Sequence, residues 1–179
     1  MGNDLDVLSF WFSEIPHDRW WDKDQAFDAQ VRQRYRALHN AARMGELFGW
    51  RGTLKGRLAE IIVLDQFSRN IHRGSAAAFA NDIQALCLAQ EAIRNDERHE
   101  LQPDERAFLY MPFMHSESLA AHEIAGQLFS EPGLEEYSPY EETHRRLIER
   151  FGRFPHRNAA LGRVSTPEET AYLAEYKDF

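Results

Sequence analysis

The segment Leu54 to Phe67 carries Leu54, Leu58, Ile61, Ile62, Leu64 and Phe67. A helix with these residues is apolar over most of its circumference, so it has to be surrounded by protein. This predicts a central buried helix around which other elements pack. Gly56 inside it costs about 1 kcal/mol of helix propensity, which is read as room for close contact with a neighbouring helix. The greasy segment then runs into Asp65-Gln66-Phe67-Ser68-Arg69-Asn70-Ile71-His72-Arg73-Gly74, read as a polar knot leaving the helix and ended by Gly74.

The remaining elements follow the same helical period. Val7, Leu8, Trp11 and Phe12 form one face of a first helix, which Pro16 stops. Asp22 or Asp24 caps a long helix with a stripe of Phe27, Val31, Tyr35, Leu38 and Ala42, ending near Gly45. Thr53 caps the central helix. Asn81 or Asp82 caps one bearing Ile83, Leu86, Cys87 and Ile93, which frays near Asn95. Pro103 opens a helix that Pro112 kinks or breaks, and a further piece spans about Ser116 to Phe129. Ser138-Pro139-Tyr140-Glu141 and Thr166-Pro167-Glu168-Glu169 read as capping boxes. The first starts a helix with Tyr140, His144, Leu147, Ile148 and Phe151 that stops at Gly152; the second starts a terminal helix with Tyr172, Leu173 and Tyr176. No segment alternates apolar and polar residues for long. The expectation is a single all-α domain over residues 1–179, with seven to nine helices packed as helical hairpins.

Composition narrows the function classes. Net charge is -8, which argues against a general nucleic-acid binder and against an anionic lipid surface. No apolar run approaches a membrane span, and Gly2, Asn3, Asp4 and Asp6 make no basic leader, so a cytoplasmic protein is expected. The single cysteine, Cys87, sits at an apolar helix position and reads as a packed thiol. No cofactor fingerprint is present. His115 and His122 could share a helix face near Glu117 or Glu123. Without a His-Glu-x-x-His pair or a cysteine cluster, no metal is expected.

Polar groups concentrate in the corner Glu149 to Arg163, where Arg153, His156, Arg157 and Asn158 crowd behind a helix end. Two earlier blocks join it: Asp65, Gln66, Arg69, Asn70 and Arg73, and then His115 and Glu117. His144 is added because it lies on the apolar stripe of its own helix. Two readings stay open. In one, these residues converge on a pocket for a small anionic molecule or a peptide terminus, with arginine forks holding a carboxylate or phosphate. Asn158 would then cap a short helix at Ala159 to Leu161 and add its N–H groups. In the other they form a buried structural network, with Asp65 on Arg69 or Arg157 and with Asn70 or Asn158 tying loop carbonyls. An enzyme reading makes His115 or His156 the acid–base group of a cofactor-free hydrolase or lyase. A third possibility is a protein-interaction scaffold.

Several blocks agree in order and spacing with a known family. They are Phe10-Trp11-Phe12, Leu64-Asp65-Gln66-Phe67 with Arg69-Asn70 and Arg73-Gly74, Glu105-Arg106, Phe108 to Glu117, and Arg150 to Asn158 with Leu161-Gly162-Arg163. On these the chain resembles the bacterial domain-of-unknown-function 924 family across essentially its full length. Ser68 stands where that family usually has proline, which would remove a rigid turn residue. The resemblance implies an all-α, tetratricopeptide-like fold. It implies no activity.

Overall fold

The structure, a computed structural model, describes residues 3–94 and 96–175, except for the side chains of residues 96 and 97. Among these are eight α-helices and no strand: α1 (Asp4–Ser9), α2 (Gln25–Arg43), α3 (Leu54–Ile71), α4 (Asp82–Ala92), α5 (Pro103–Met114), α6 (Leu119–Leu128), α7 (Ser138–Phe151) and α8 (Pro167–Glu175). Short 3-10 turns join several of them, and α1 passes into a π-helical turn at Phe10–Glu14. Each helix from α2 to α7 packs on the next, and α3 also touches α1 and α5.

Helix α3 is the axis the sequence predicts. Thr53 caps it, its hydroxyl accepting from the Gly56 amide at 3.0 Å. Leu58, Ile61, Ile62, Val63, Leu64 and Phe67 are all buried, each contributing about 1.5–3 kcal/mol of hydrophobic stabilisation. An aromatic layer closes one side. Trp11 stacks on Trp20 at 6.4 Å and meets the edge of Phe108 at 5.5 Å, while Phe67 lies on Tyr35 at 4.6 Å. A second, smaller cluster of Leu147, Ile148 and Phe154 sits under α7 and α8 with Phe151 and Tyr172.

Local chemistry departs from expectation at several points. The Asp65–Ile71 stretch is not a knot after the helix; it is the last two turns of α3. Ser68 therefore lies at no turn: it is buried in the helix, donates to the Leu64 carbonyl and meets His39 and Asn81. Gly56 makes room for backbone rather than for another helix, because a Cβ there would lie 2.0 Å from the Trp50 carbonyl oxygen. Pro112 does not break α5, which continues to Met114. Helix α4 buries Ala85, Leu88, Ala89 and Ala92, leaving Ile83 and Cys87 exposed, so the packed-thiol reading is wrong. The capping box at Ser138 does not form, since Tyr137 is the N-cap without a side-chain hydrogen bond. The one at Thr166 does form: the Glu169 carboxylate accepts from the Thr166 amide at 2.7 Å, and the Thr166 hydroxyl accepts from the Glu169 amide at 3.1 Å. Gly152 ends α7 at φ 69°, a left-handed conformation that costs glycine little. The readings of Asn95 and Tyr176 lie outside the described residues.

Candidate functional site

Six segments meet around a cleft of about 390 Å³. Its polar wall is built by the last turns of α3 with Gln66, Arg69 and Asn70, followed by Arg73 just beyond the helix. His115 from the end of α5, His144 from α7, and His156 and Arg157 from the 3-10 turn Pro155–Arg157 complete that wall. The rest of the lining is mostly aromatic and soft: Trp20, Trp21, Phe79, Met111, Met114, Tyr137 and Tyr140, together with Asp22 and Lys23.

The Trp20–Trp21 pair shows how the chain divides core from cleft. In the 3-10 turn His17–Trp21 successive side chains diverge. Trp20 turns inward and donates its indole N–H to the Trp11 carbonyl at 2.9 Å. Trp21 stays 48% exposed and lies nearly parallel to Tyr140, itself 56% exposed, at 6.3 Å.

Behind the polar wall runs a chain of charge-assisted bonds. Asp65, 1% exposed, accepts from Nδ1–H of His115 at 2.9 Å and from the Gln66 amide at 2.6 Å, and pairs in charge with Arg69 at 2.9 Å, whose guanidinium donates to the Asp65 main-chain carbonyl. Arg69 forks onto both oxygens of Asp82 at 2.9 and 3.1 Å, and Arg157 shares that carboxylate at 3.1 Å. Arg157 also donates to the His115 carbonyl at 2.9 Å, which fixes the end of α5. Its guanidinium is sandwiched between Phe79 at 4.6 Å and Phe154 at 4.5 Å, and its Nε meets no acceptor among the described residues. Arg73 forks onto Asp28 at 2.6 and 2.7 Å, and Asn70 donates to the same carboxylate at 2.9 Å.

Protonation follows from this geometry. Burial works against the Asp65 anion, but the charge of Arg69 and the bonds from His115 and Gln66 outweigh it, so the carboxyl is held below its ordinary range. Arg69 is likewise buried, and Asp65 and Asp82 more than offset that, raising it. The histidines go the other way. Burial pushes His115 down despite Asp65, and brings both His144 and His156 to about 3, with interaction with His115 and with Arg157 as the respective next causes. Arg157 falls to about 10, through burial and then repulsion from Arg69. All three imidazoles are thus neutral at pH 7. Nδ1 of His115 and Nδ1 of His144 carry their protons, since the first faces a carboxylate and the second donates to the Tyr140 carbonyl at 2.8 Å. The unprotonated nitrogen of each of these two rings is therefore Nε2.

The structure divides the sequence candidates into two groups. Gln66, Arg69, Asn70, Arg73, His115, His144, His156 and Arg157 line the cleft, and Asp65 supports them from beneath. Glu117, Arg153 and Asn158 belong elsewhere. Glu117 takes a fork from Arg163 at 2.7 and 2.9 Å and the Phe154 amide at 2.8 Å. Arg153 forks onto Glu169 at 2.7 and 2.8 Å, and Asn158 donates to Glu169 at 3.2 Å. No helix forms at 159–161, so the expected anion-binding helix end is absent there. Asn70 and Asn158 bind carboxylates, not loop carbonyls. His122 is buried with Glu141 at 2.8 Å and the Ser116 carbonyl at 2.9 Å, remote in role from His115. Among the described residues no group of three or more His, Cys, Asp or Glu side chains is arranged to hold a metal ion.

Sequence reasoning passed over Asp82, taken as a helix cap, and over the whole aromatic wall. Tyr140 offered a signal: it sits on the apolar stripe of α7 yet ends up open to solvent.

Comparison with known proteins agrees with this architecture. A solved structure, a protein of unknown function, ATU0120 from Agrobacterium tumefaciens, is 44% identical over 97% of each chain, with a TM-score of 0.90. No curated protein matches the chain. A family model described as a bacterial protein of unknown function, DUF924, matches residues 7–177. The chain therefore belongs to the DUF924 family of bacterial proteins.

Proposed function

We propose that the cleft binds a small molecule carrying one carboxylate and one planar or apolar group, in a cytoplasmic protein. The observation that carries this reading is Arg157: 6% exposed, at the cleft wall, sandwiched by two rings, and sharing one carboxylate with Arg69. Burial and then repulsion from Arg69 lower its pKa despite Asp82, and an anion in the cleft would relieve that. The formal balance sets the ligand's size. Asp65 and Asp82 offset Arg69 and Arg157, and Asp28 offsets Arg73, so a polyphosphate would find little excess charge. A single carboxylate adds one negative charge to this balanced set, where a polyphosphate would add several. The Trp21, Tyr140 and Met111 side supports a flat or aliphatic body. With no helix among the described residues long and apolar enough to cross a membrane, a dissolved metabolite is the simplest ligand class.

The test is a thermal-shift series with benzoate, 3-phenylpropanoate, indole-3-acetate and hexanoate. Near a hundredfold excess over Kd, about 2.7 kcal/mol of added stability raises the wild-type Tm by roughly 5–10 °C. Arg157→Ala loses that rise. If no carboxylate of the series stabilises the wild type, or if Arg157→Ala keeps the full shift, the reading fails.

A further inference from the structure

His115 ends α5 and turns its ring onto Asp65 of α3, a contact between residues brought together across the core. Asp65 is buried: Gln66 and His115 hydrogen-bond its carboxylate oxygens, and Arg69 pairs with it in charge. The ring is consequently fixed in one tautomer, with Nδ1–H on the carboxylate. Nε2 takes no hydrogen bond from any described residue, in a side chain that lines the cleft. A buried carboxylate holding an imidazole so that its second nitrogen faces a cavity is the arrangement by which enzymes orient a general base. A purely structural histidine more often has both ring nitrogens occupied, as His122 does in the same molecule.

Building on the carboxylate-binding reading above, we propose that the cleft is a hydrolytic site. His115 is its general base and Asp65 is the positioning residue. The substrate is a carboxylic ester that also bears a free carboxylate, held by Arg157, and a planar group resting against Trp21 and Tyr140. The nucleophile is water, since no serine or cysteine among the described residues lines the cleft. His115 Nε2 takes one proton from water as the oxygen adds to the acyl carbon, and the carbonyl π pair moves onto the former carbonyl oxygen. That oxyanion develops in the field of Arg69 and Arg157, while the imidazolium is held by Asp65. When the pair returns, the bond to the alcohol oxygen breaks, and the proton on Nε2 passes to the departing alkoxide. The sum is ester plus water giving acid plus alcohol, with the imidazole restored.

The experiment follows hydrolysis of mono-4-nitrophenyl succinate by the full chain. The wild type is expected to exceed the buffer rate, and His115→Gln to lower kcat by roughly a hundredfold or more with little change in KM. Arg157→Ala raises KM. The groups facing His115 are Asp65, Arg69, His144, His156, Arg157 and Asp82. Since burial lowers the ring's pKa, wild-type kcat/KM stays on its plateau to below pH 6.5, the ordinary value for histidine. Asp65→Asn removes an anion that supports the imidazolium, so its residual activity has an acid limb at still lower pH, a shift that loss of folding alone does not give. If Asp65→Asn does not fold, the wild-type limb and the His115→Gln rate decide the matter. A wild-type rate equal to buffer, or His115→Gln turning over like wild type, overturns the proposal. If 3-phenylpropanoate still stabilises the protein in that event, hydrolysis is wrong and binding stands. If it does not, both fall.

Discussion

Two arginine–carboxylate clusters lie a few residues apart in the corner after α7, and they end differently. In the clamp, Arg153 and Glu169 form a two-pronged pair to which Asn158 and the Thr166 amide add, while Arg163 forks onto Glu117 beside the Phe154 amide. These bonds run between loop and helix ends and tie the α7–α8 connection to the segment after α5. In the cleft network Arg157 shares Asp82 with Arg69, leaves Nε without an acceptor and lines a cavity. The residue types are the same. What separates them is sharing and setting: Arg153 and Arg163 each fork onto a carboxylate of their own, whereas Arg157 shares Asp82 with Arg69 beside open space. The first arrangement fastens the fold; the second is the one for which a ligand is proposed.

The largest effect should come from opening the clamp. Glu169→Ala leaves Arg153, Asn158 and the α8 cap without their acceptor, and should cost about 3 kcal/mol, or roughly 6–12 °C in Tm. Carboxylate affinity in the cleft should not change; if Tm holds and affinity drops, the division between the clusters is wrong. Next in size, Arg157→Ala should weaken 3-phenylpropanoate at least tenfold by titration calorimetry, about 1.5 kcal/mol for a lost charged hydrogen bond. Its apo Tm should fall by less than that of Glu169→Ala, since Asp82 keeps Arg69.

Acid titration sharpens the same contrast. The bond from Arg153, opposed by burial and aided by Thr166 and Asn158, brings Glu169 down to about 2. A depressed folded-state value means its stabilisation is present above the unfolded value of 4.5 and is lost as pH falls from there toward 2. Wild type should therefore lose stability across that window faster than Glu169→Gln, measured by urea midpoints at each pH. Parallel curves would remove Glu169 as the clamp's centre. The smallest effect belongs to the cleft mouth. Trp21→Ala removes an exposed ring, so it should shift stability by about 0.5 kcal/mol or less while costing roughly 1 kcal/mol of affinity for aryl carboxylates. Hexanoate should lose less.

Much of this scaffold was legible from periodicity and caps. The apolar circumference of Leu54 to Phe67 could be satisfied in few ways, Thr53 caps where its side chain and position predict, and Gly152 ends α7. The fate of individual polar residues was less legible. Arg153 and Arg157 are four positions apart with similar neighbours, and only the path of the chain through the 3-10 turn at Pro155–Arg157 sends one to α8 and the other to the cleft. Phe67-Ser68-Arg69-Asn70 and Phe154-Pro155-His156-Arg157-Asn158 look alike in sequence. They are helix in one case and turn in the other, yet Arg69 and Arg157 meet on Asp82. Asp82 carried no separate signal because a helix-capping aspartate and an arginine-bridging one are the same residue in the same place. The aromatic wall was hidden for a similar reason: Tyr140 reads as part of an apolar helix stripe, and only tertiary structure leaves it and Trp21 uncovered.

The sharpest contrast is between Arg157, proposed to hold a ligand, and Glu169, which ties the fold. Titration calorimetry of 3-phenylpropanoate into wild type, Glu169→Ala and Arg157→Ala separates these roles directly, at a temperature where all three are folded. Equal affinity for the first two and at least a tenfold loss for the third is the predicted result. No heat of binding in the wild type, or undiminished affinity in Arg157→Ala, would contradict it.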